Sequence, residues 1–347
     1  MGDQEKVLSV EDLRFSFSTY AGEVQAVRGV SFNLKKGKTL GLVGESGCGK
    51  SVTAKSIVKL NPDNNGFYKG GKITFDGKDI LSLSQKEIHR IRAEEVRMIF
   101  QDPMTSLNPT MKIGKQITEG IRIANPNINK KEAKQTAIES LKNMGISNPE
   151  KRFNYYPHQF SGGMRQRVMI ALAMSVNPKL LIADEPTTAL DVTLQAQILE
   201  LIKKIQLKFN TAIIMITHDL GVVANIADEI AVMYAGKIME FGDNRDIFYN
   251  PFHPYTWGIL QSIPPIDADC SVKLTPIPGT PPDLFNPPKG CPFAARCPYA
   301  MKICRLQYPE EFKIDNHKVN CWLYHELSSA VKNPITKKEV CLCRTKF

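Results

Sequence analysis

Three short segments hold residue types and spacings suited to phosphate chemistry: GESGCGKS at Gly44–Ser51, FSGGMRQR at Phe160–Arg167 and LLIADEP at Leu180–Pro186. The first matches the phosphate-loop pattern G-x-x-x-x-G-K-[ST]. Its glycines let the backbone N–H groups from Gly44 through Glu45, Ser46, Gly47, Cys48 and Gly49 turn inward around phosphate oxygens, and a helix N-terminus behind them adds a favourable dipole. Lys50 would reach the β- and γ-phosphates and the Ser51 hydroxyl would ligate Mg²⁺. LLIADEP ends an apolar strand in two carboxylates. Asp184 can hold Mg²⁺ through water, and Glu185 can polarise or orient an attacking water as a general base. In FSGGMRQR, Ser161, Gly162 and Gly163 precede a basic helix. A plain turn is the bland reading of that pair of glycines, and apolar strands often end in acids. The order of the three segments carries more than any one alone.

A second group is built from sulfur. Of eight cysteines, Cys48 lies in the phosphate loop, Cys270 stands alone, and Cys341 and Cys343 sit in a Lys-rich tail. Cys291, Cys297, Cys304 and Cys321 cluster with spacings x5, x6 and x16. Four thiolates without histidine suit an iron–sulfur cluster or zinc. The absence of a C-x2-C pair lowers the case for a zinc ribbon.

The elements that must position these residues follow from hydrophobic periodicity. Val7–Phe17 and Gly29–Leu34 alternate like half-buried antiparallel strands, and Gly71–Ile80 reads as an edge hairpin turning at Asp76-Gly77. Thr39–Gly44 is a continuous apolar run, as for a buried strand feeding the glycine loop. From about residue 113 to 175 the pattern is helical. Lys130–Ile146 puts Ala133, Ala137, Leu141 and Met144 on one face and stops at Gly145. Three buried-strand candidates, Lys179–Asp184, Ala212–Thr217 and Glu229–Ala235, follow, with a helix at Thr193–Phe209 between the first two. Alternating strands and helices predict a parallel sheet in an α/β core, with the helical stretch inserted. Eight prolines between Pro264 and Pro288 exclude long regular elements there.

Composition sets the class. Hydrophobic residues make up 42% and charged residues 23%, as in an ordinary globular protein. Neither a signal-peptide core nor a membrane-length apolar run is present, and Lys6 stands where a myristoylation motif wants Ser or Thr, which predicts a soluble intracellular chain. The net charge of +10 could serve nucleic acid or an anionic leaflet. The basic residues are spread without blocks or aromatic interleaving, so a solvated basic surface is the better reading.

Taken in order, Gln101 after an apolar run, Ser161–Gln166, Asp184-Glu185, Ala189–Asp191 and His218 resemble the landmarks of the ATP-binding subunits of ABC transporters, across about residues 7 to 242. The resemblance implies a P-loop α/β core with an antiparallel β-subdomain and a helical insert. It implies roles for Gln101 (Mg²⁺ or water, and coupling to the membrane subunit), Asp191, and His218 (γ-phosphate). Ser161, Gly162, Gly163 and Gln166 would form the signature and meet ATP held by a second subunit. Phe17 aligns with the aromatic that stacks on adenine, with Tyr20 competing; such stacking is worth about 1–3 kcal/mol on nucleic-acid bases. The family signature usually begins with Leu and ends with Gln, where this chain has Phe160 and Met164. Residues 249 to 323 resemble the C-terminal extension of oligopeptide/dipeptide importer ATPases, members of which carry a 4Fe-4S cluster on cysteines in this arrangement. The implied organisation is an ATP-binding domain at 1–248 (helical subdomain about 113–175), a loop-rich cysteine-bearing extension at 249–327 and a tail at 328–347. The implied partners are a related second ATPase, two integral-membrane permeases and an extracellular solute-binding protein, at the cytoplasmic face of the membrane. Nickel or glutathione importers of the same family are alternatives for the cargo. A non-transport ATPase of translation or DNA repair is the alternative class, disfavoured by the single ATPase unit and the lack of a heptad repeat.

Overall fold

The computed structural model describes residues 6–102, 106–188, 190–262 and 276–340. The alternating segments form β1 (Lys6–Thr19) and β2 (Gly22–Lys35), and the latter half of the next hairpin falls where its turn residues require. β4 (Gly66–Phe75) and β5 (Lys78–Asp79) turn at Asp76 and Gly77, both at positive φ. These strands make an antiparallel sheet in the order β2-β1-β4-β5.

The apolar runs make the second sheet. β3 (Thr39–Val43), β6 (Val96–Ile99), β7 (Leu180–Asp184), β8 (Ala212–Thr217) and β9 (Glu229–Tyr234) are its parallel strands, in the order β9-β3-β8-β7-β6. Every residue of β3, β7 and β8 is buried, which is why these strands read as continuous hydrophobic runs rather than alternating ones. Gly41 in β3 permits close packing of a helix at Leu220–Ile226: a Cβ there would lie 2.4 Å from Val223 Cγ1.

Three helices, α1 (Lys50–Ile57), α2 (Gln85–Glu94) and α3 (Ile113–Ala124), lead into the helical stretch, which continues with α4 (Lys130–Asn143) and α5 (Gly162–Met174). α4 starts where Asn129 Oδ1 accepts from the Glu132 N–H (2.9 Å) and stops before Gly145 at φ 71°. Its Ala133, Ala137 and Leu141 join Ile113, Ile117, Phe160 and Val168 in one apolar core, as the periodicity predicts. α6 (Val192–Phe209) then runs between β7 and β8.

The region after residue 248 is less loose than its prolines suggest. β10 (Lys237–Asp243) pairs antiparallel with β9 and also with a strand from the extension. That strand, β12 (His317–Val319), forms a hairpin with β11 (Phe312–Ile314), so the extension supplies two edge strands to the main sheet. Each is three residues long, too short for periodicity to reveal. Behind them Glu240, fully buried, sits 2.7 Å from His317 Nε2 and accepts from the N–H groups of Phe252 and His253. The described part of the tail is tied in as well. Val331–Lys332 pairs with Glu339–Val340, and buried Asn333 donates to the Pro251 carbonyl at 2.7 Å. Cys270, Cys341, Cys343 and Ala189 lie outside the described residues.

Candidate active site

The phosphate loop joins the C-terminal end of β3 to α1. Gly49 is the N-cap of α1 at φ 99°, and a Cβ there would lie 2.4 Å from the Ala26 carbonyl, so only glycine fits. Lys50 is 5% exposed. Its ammonium is folded under the loop, donating to the carbonyls of Gly44 (2.7 Å) and Glu45 (2.9 Å). Ser46 and Gly47 are exposed at the loop tip, while Cys48 is buried with its Sγ 3.7 Å from Lys50 Nζ.

β7 ends beside this loop. The Ser51 hydroxyl donates to Asp184 Oδ1 at 2.9 Å, so the two oxygens expected at Mg²⁺ are adjacent. Burial raises the Asp184 pKa, against the opposing pull of the Ser51 bond and Lys55. Glu185 follows at φ 48°, a left-handed conformation unusual outside glycine, with its N–H held by the Ile216 carbonyl of β8 at 2.9 Å. Its carboxylate gathers three side chains: Gln101 Nε2 (2.9 Å), Thr188 Oγ1 (3.0 Å) and His218 Nδ1 (3.2 Å). Burial pushes Glu185 up, but the bonds from His218 and Thr188 outweigh it and hold its pKa below the usual value. An ionised carboxylate only accepts, so in this contact His218 carries its proton on Nδ1.

Sequence reasoning thus placed Gln101, Asp184, Glu185, His218, Lys50 and Ser51 in one neighbourhood, and the structure brings them together. It missed Thr188, whose only signal is its place three residues after Glu185. Asp191 N-caps α6, accepting from the Leu194 N–H at 2.9 Å. Phe17, half-buried, pairs with Val24 and Gly66 and packs edge-on to Phe15 at 5.2 Å, whereas Tyr20 is fully exposed at the β1–β2 turn.

The signature segment opens α5. Ser161 is its N-cap residue, but its hydroxyl caps no N–H of the helix, and Ser161 and Gly162 face solvent. Gly163 is buried, and a Cβ there would approach Leu194 to 3.0 Å. Gln166 is 2% exposed and its Nε2 lacks a hydrogen-bond partner among the described residues. Arg165 ties the segment to the carbonyls of Pro157 and Phe160, both at 3.0 Å.

The extension reaches the phosphate loop as well. Tyr255, in α7 (Pro254–Gln261), accepts from the Glu45 N–H at 2.9 Å, and Arg296 Nη1 lies 2.7 Å from Glu45 Oε2. His253 caps that helix, its Nδ1 accepting from the Tyr255 N–H at 3.0 Å; complete burial lowers its pKa to about 4 and keeps the ring neutral. Cys291, Cys304 and Cys321 are buried and Cys297 partly so, all as free thiols. Burial raises Cys291 to about 12 and Cys297 to about 11, and lifts Cys321 well above its ordinary value, with the neighbouring thiols adding to each. Among the described residues, no three His, Cys, Asp or Glu side chains form a group able to hold a metal ion, so the four-cysteine expectation gains no support from this geometry.

A phosphate loop on a parallel sheet, an acidic strand end, a helical insert opening on Ser-Gly-Gly and a histidine on the carboxylate define an ABC-type ATPase. The residues match the description "ABC transporter" over 27–188 and "Oligopeptide/dipeptide transporter, C-terminal region" over 239–304. The chain belongs to the family of oligopeptide and dipeptide transport ATP-binding proteins. It is 60% identical to the oligopeptide transport ATP-binding protein OppD of Bacillus subtilis (strain 168) over 95% of this chain and 92% of that one. It is 57% identical to the dipeptide transport ATP-binding protein DppD of the same organism, over 92% and 95%. Among solved structures, a dimeric ATP-binding cassette in a post-hydrolysis state with ADP and Pi matches at TM-score 0.62 and 25% identity, covering 69% of this chain and 99% of that one. A Clostridium perfringens protein, cbiO1, part of an ABC transporter complex, matches at TM-score 0.62 and 28% identity, over 71% and 92%. No helix among the described residues is long and apolar enough to cross a membrane.

Proposed function

We propose that this chain is the ATP-hydrolysing subunit that powers an importer of oligopeptides or dipeptides, bound peripherally to the cytoplasmic face of the membrane. The observation that carries the reading is the Glu185 cluster beside the phosphate loop: a charged carboxylate held by Gln101, Thr188 and His218, one residue from an Asp184 already bonded to Ser51. Glu185 orients the attacking water and takes its proton. Lys50 and the loop N–H groups hold the β- and γ-phosphates, His218 reaches the γ-phosphate, and Phe17 stacks on the base. Ser51 and Asp184, with Gln101, would hold Mg²⁺, which when bound neutralises charge on the phosphates; such ions characteristically take few protein ligands and complete their shell with water and substrate.

Ser161, Gly162, Gly163 and Gln166 act on ATP held by another ATPase subunit, a related chain forming a heterodimer with this one, and Asp191 lies at that junction. The uncapped, exposed Ser161 hydroxyl supports this assignment. Closure around two ATP molecules drives two integral-membrane permeases fed by a solute-binding protein. Reconstitution with the membrane pair and the binding protein tests the reading: peptide should stimulate ATP hydrolysis and accumulate inside vesicles. ATP hydrolysis indifferent to every peptide in the intact complex would sink it.

An ATP-binding domain at 1–248 is followed by a cysteine-bearing extension at 249–327, whose Pro251 carbonyl accepts from Asn333 of the tail at 328–347. Cys291, Cys297, Cys304 and Cys321 of the extension would hold a 4Fe-4S cluster. Four free thiols without histidine, three of them buried, suit a cluster held through sulfur alone. When bound it would staple a segment whose prolines forbid regular structure. Protein purified without air should carry about four iron and four acid-labile sulfide per chain. Stoichiometric zinc, or no metal, would overturn the assignment.

A further inference from the structure

We propose that the extension sets the conformation of the phosphate loop, through Arg296 and Tyr255 acting as positioning residues for nucleotide binding. Both act on Glu45, and that residue is held at three points. Its N–H donates to the Tyr255 hydroxyl (2.9 Å), its carboxylate pairs with Arg296 (2.7 Å), and its carbonyl accepts from Lys50 (2.9 Å). The first two partners lie 210 and 251 residues away along the chain, beyond the ATP-binding region.

These contacts are fixed on the extension side. The Arg296 side chain is 6% exposed, and three more of its five N–H donors reach Tyr234 Oη (3.1 Å) and the carbonyls of Pro278 (2.9 Å) and Ile277 (3.2 Å). Tyr255 is fully buried, with ring centroids 4.6 Å from Tyr234 and 5.2 Å from Phe293. An exposed ion pair contributes little, because both partners are mobile and hydrated. A guanidinium whose fork is already locked loses little further freedom on meeting its carboxylate. The loop itself is rich in glycine, so its unconstrained form would be broad and ordering it around phosphate costly. Pinning Glu45 lowers that cost before nucleotide arrives. Since the Glu45 N–H is already engaged by Tyr255, phosphate is left to the N–H groups that follow it. Arg296 directly precedes Cys297, so whatever the cysteines bind would steady the same contact.

This inference rests on the loop being the ATP site, which Lys50→Ala tests separately. With the full chain, a fluorescent ATP analogue should bind Arg296→Ala and Glu45→Gln roughly tenfold more weakly than the parent, the loss expected when preorganisation is removed. Steady-state hydrolysis should show a raised KM with kcat at saturation within about twofold, the pattern of lost binding rather than lost chemistry. The double variant should bind no more weakly than either single, and Arg296→Lys should recover part of the loss. Tight binding in both single variants while Lys50→Ala binds poorly would overturn the proposal alone. Tight binding in Lys50→Ala too would overturn the ATP-site reading and the proposal together. Additive losses, or a fall in kcat at unchanged affinity, would also overturn it. Should Arg296→Ala not fold, Glu45→Gln decides, since that side chain is partly exposed and leaves Arg296 its three other partners.

Discussion

Glu185→Gln will bind ATP about as tightly as the parent chain and hydrolyse it about 10²–10⁴-fold more slowly, the usual contribution of a positioned general base. The substitution keeps the shape of the side chain, and its one oxygen can still accept from Gln101 and Thr188, while its amide N–H faces His218 Nδ1 in place of the second carboxylate oxygen. What it removes is the charge. Glu185 is ionised at neutral pH because the bonds from His218 and Thr188 outweigh its burial, and only the ionised form can draw a proton from water. The left-handed backbone at Glu185 is equally available to glutamine, so the fold should survive. With hydrolysis blocked, the closed pair of ATPase subunits should accumulate on adding ATP and be seen by size-exclusion chromatography. Turnover at the parent rate in single-turnover measurements would refute the role of Glu185.

The second large effect is expected at Lys50. Lys50→Ala should lower hydrolysis by about 10²–10³-fold, comparable to removing one preorganised donor from a charge-stabilising site, and should weaken ATP binding as well. The ammonium bonds the carbonyls of Gly44 and Glu45. Lys50 therefore shapes the loop as well as meeting phosphate, and its loss leaves two carbonyls without that donor. Lys50→Arg should rescue poorly, because a planar guanidinium fork does not reproduce the compact point charge of a buried ammonium. Isothermal titration with ATP and a phosphate-release assay would measure both effects. Unimpaired binding and hydrolysis in Lys50→Ala would remove the phosphate role from this loop.

Much of this site was legible because its parts are local. A phosphate loop is eight consecutive residues, and a carboxylate at a strand end follows directly from where an apolar run stops. β3, β7 and β8 were readable for the same reason, being uninterrupted and fully buried. The contacts that sequence reading missed are long-range or carried by ordinary residues. Arg296 sits in an unremarked stretch before Cys297, and nothing near it in sequence points to Glu45. The strands β11 and β12 are too short to show alternation, and their existence depends on β10 offering an edge. Phe17 and Tyr20 are both aromatic, and only packing separates a half-buried ring held edge-on to Phe15 from a fully exposed one.

The pairing of β12 with β10 bears on how the molecule could have been assembled from parts. A chain ending after residue 248 would present β10 as a bare sheet edge, a template for pairing with another chain. It would also strip Glu240 of His317 and of the Phe252 and His253 N–H groups, baring an acid that the intact molecule encloses. The segment that looks like an appendage therefore covers the edge of β10 and encloses Glu240, and cutting it away would expose both.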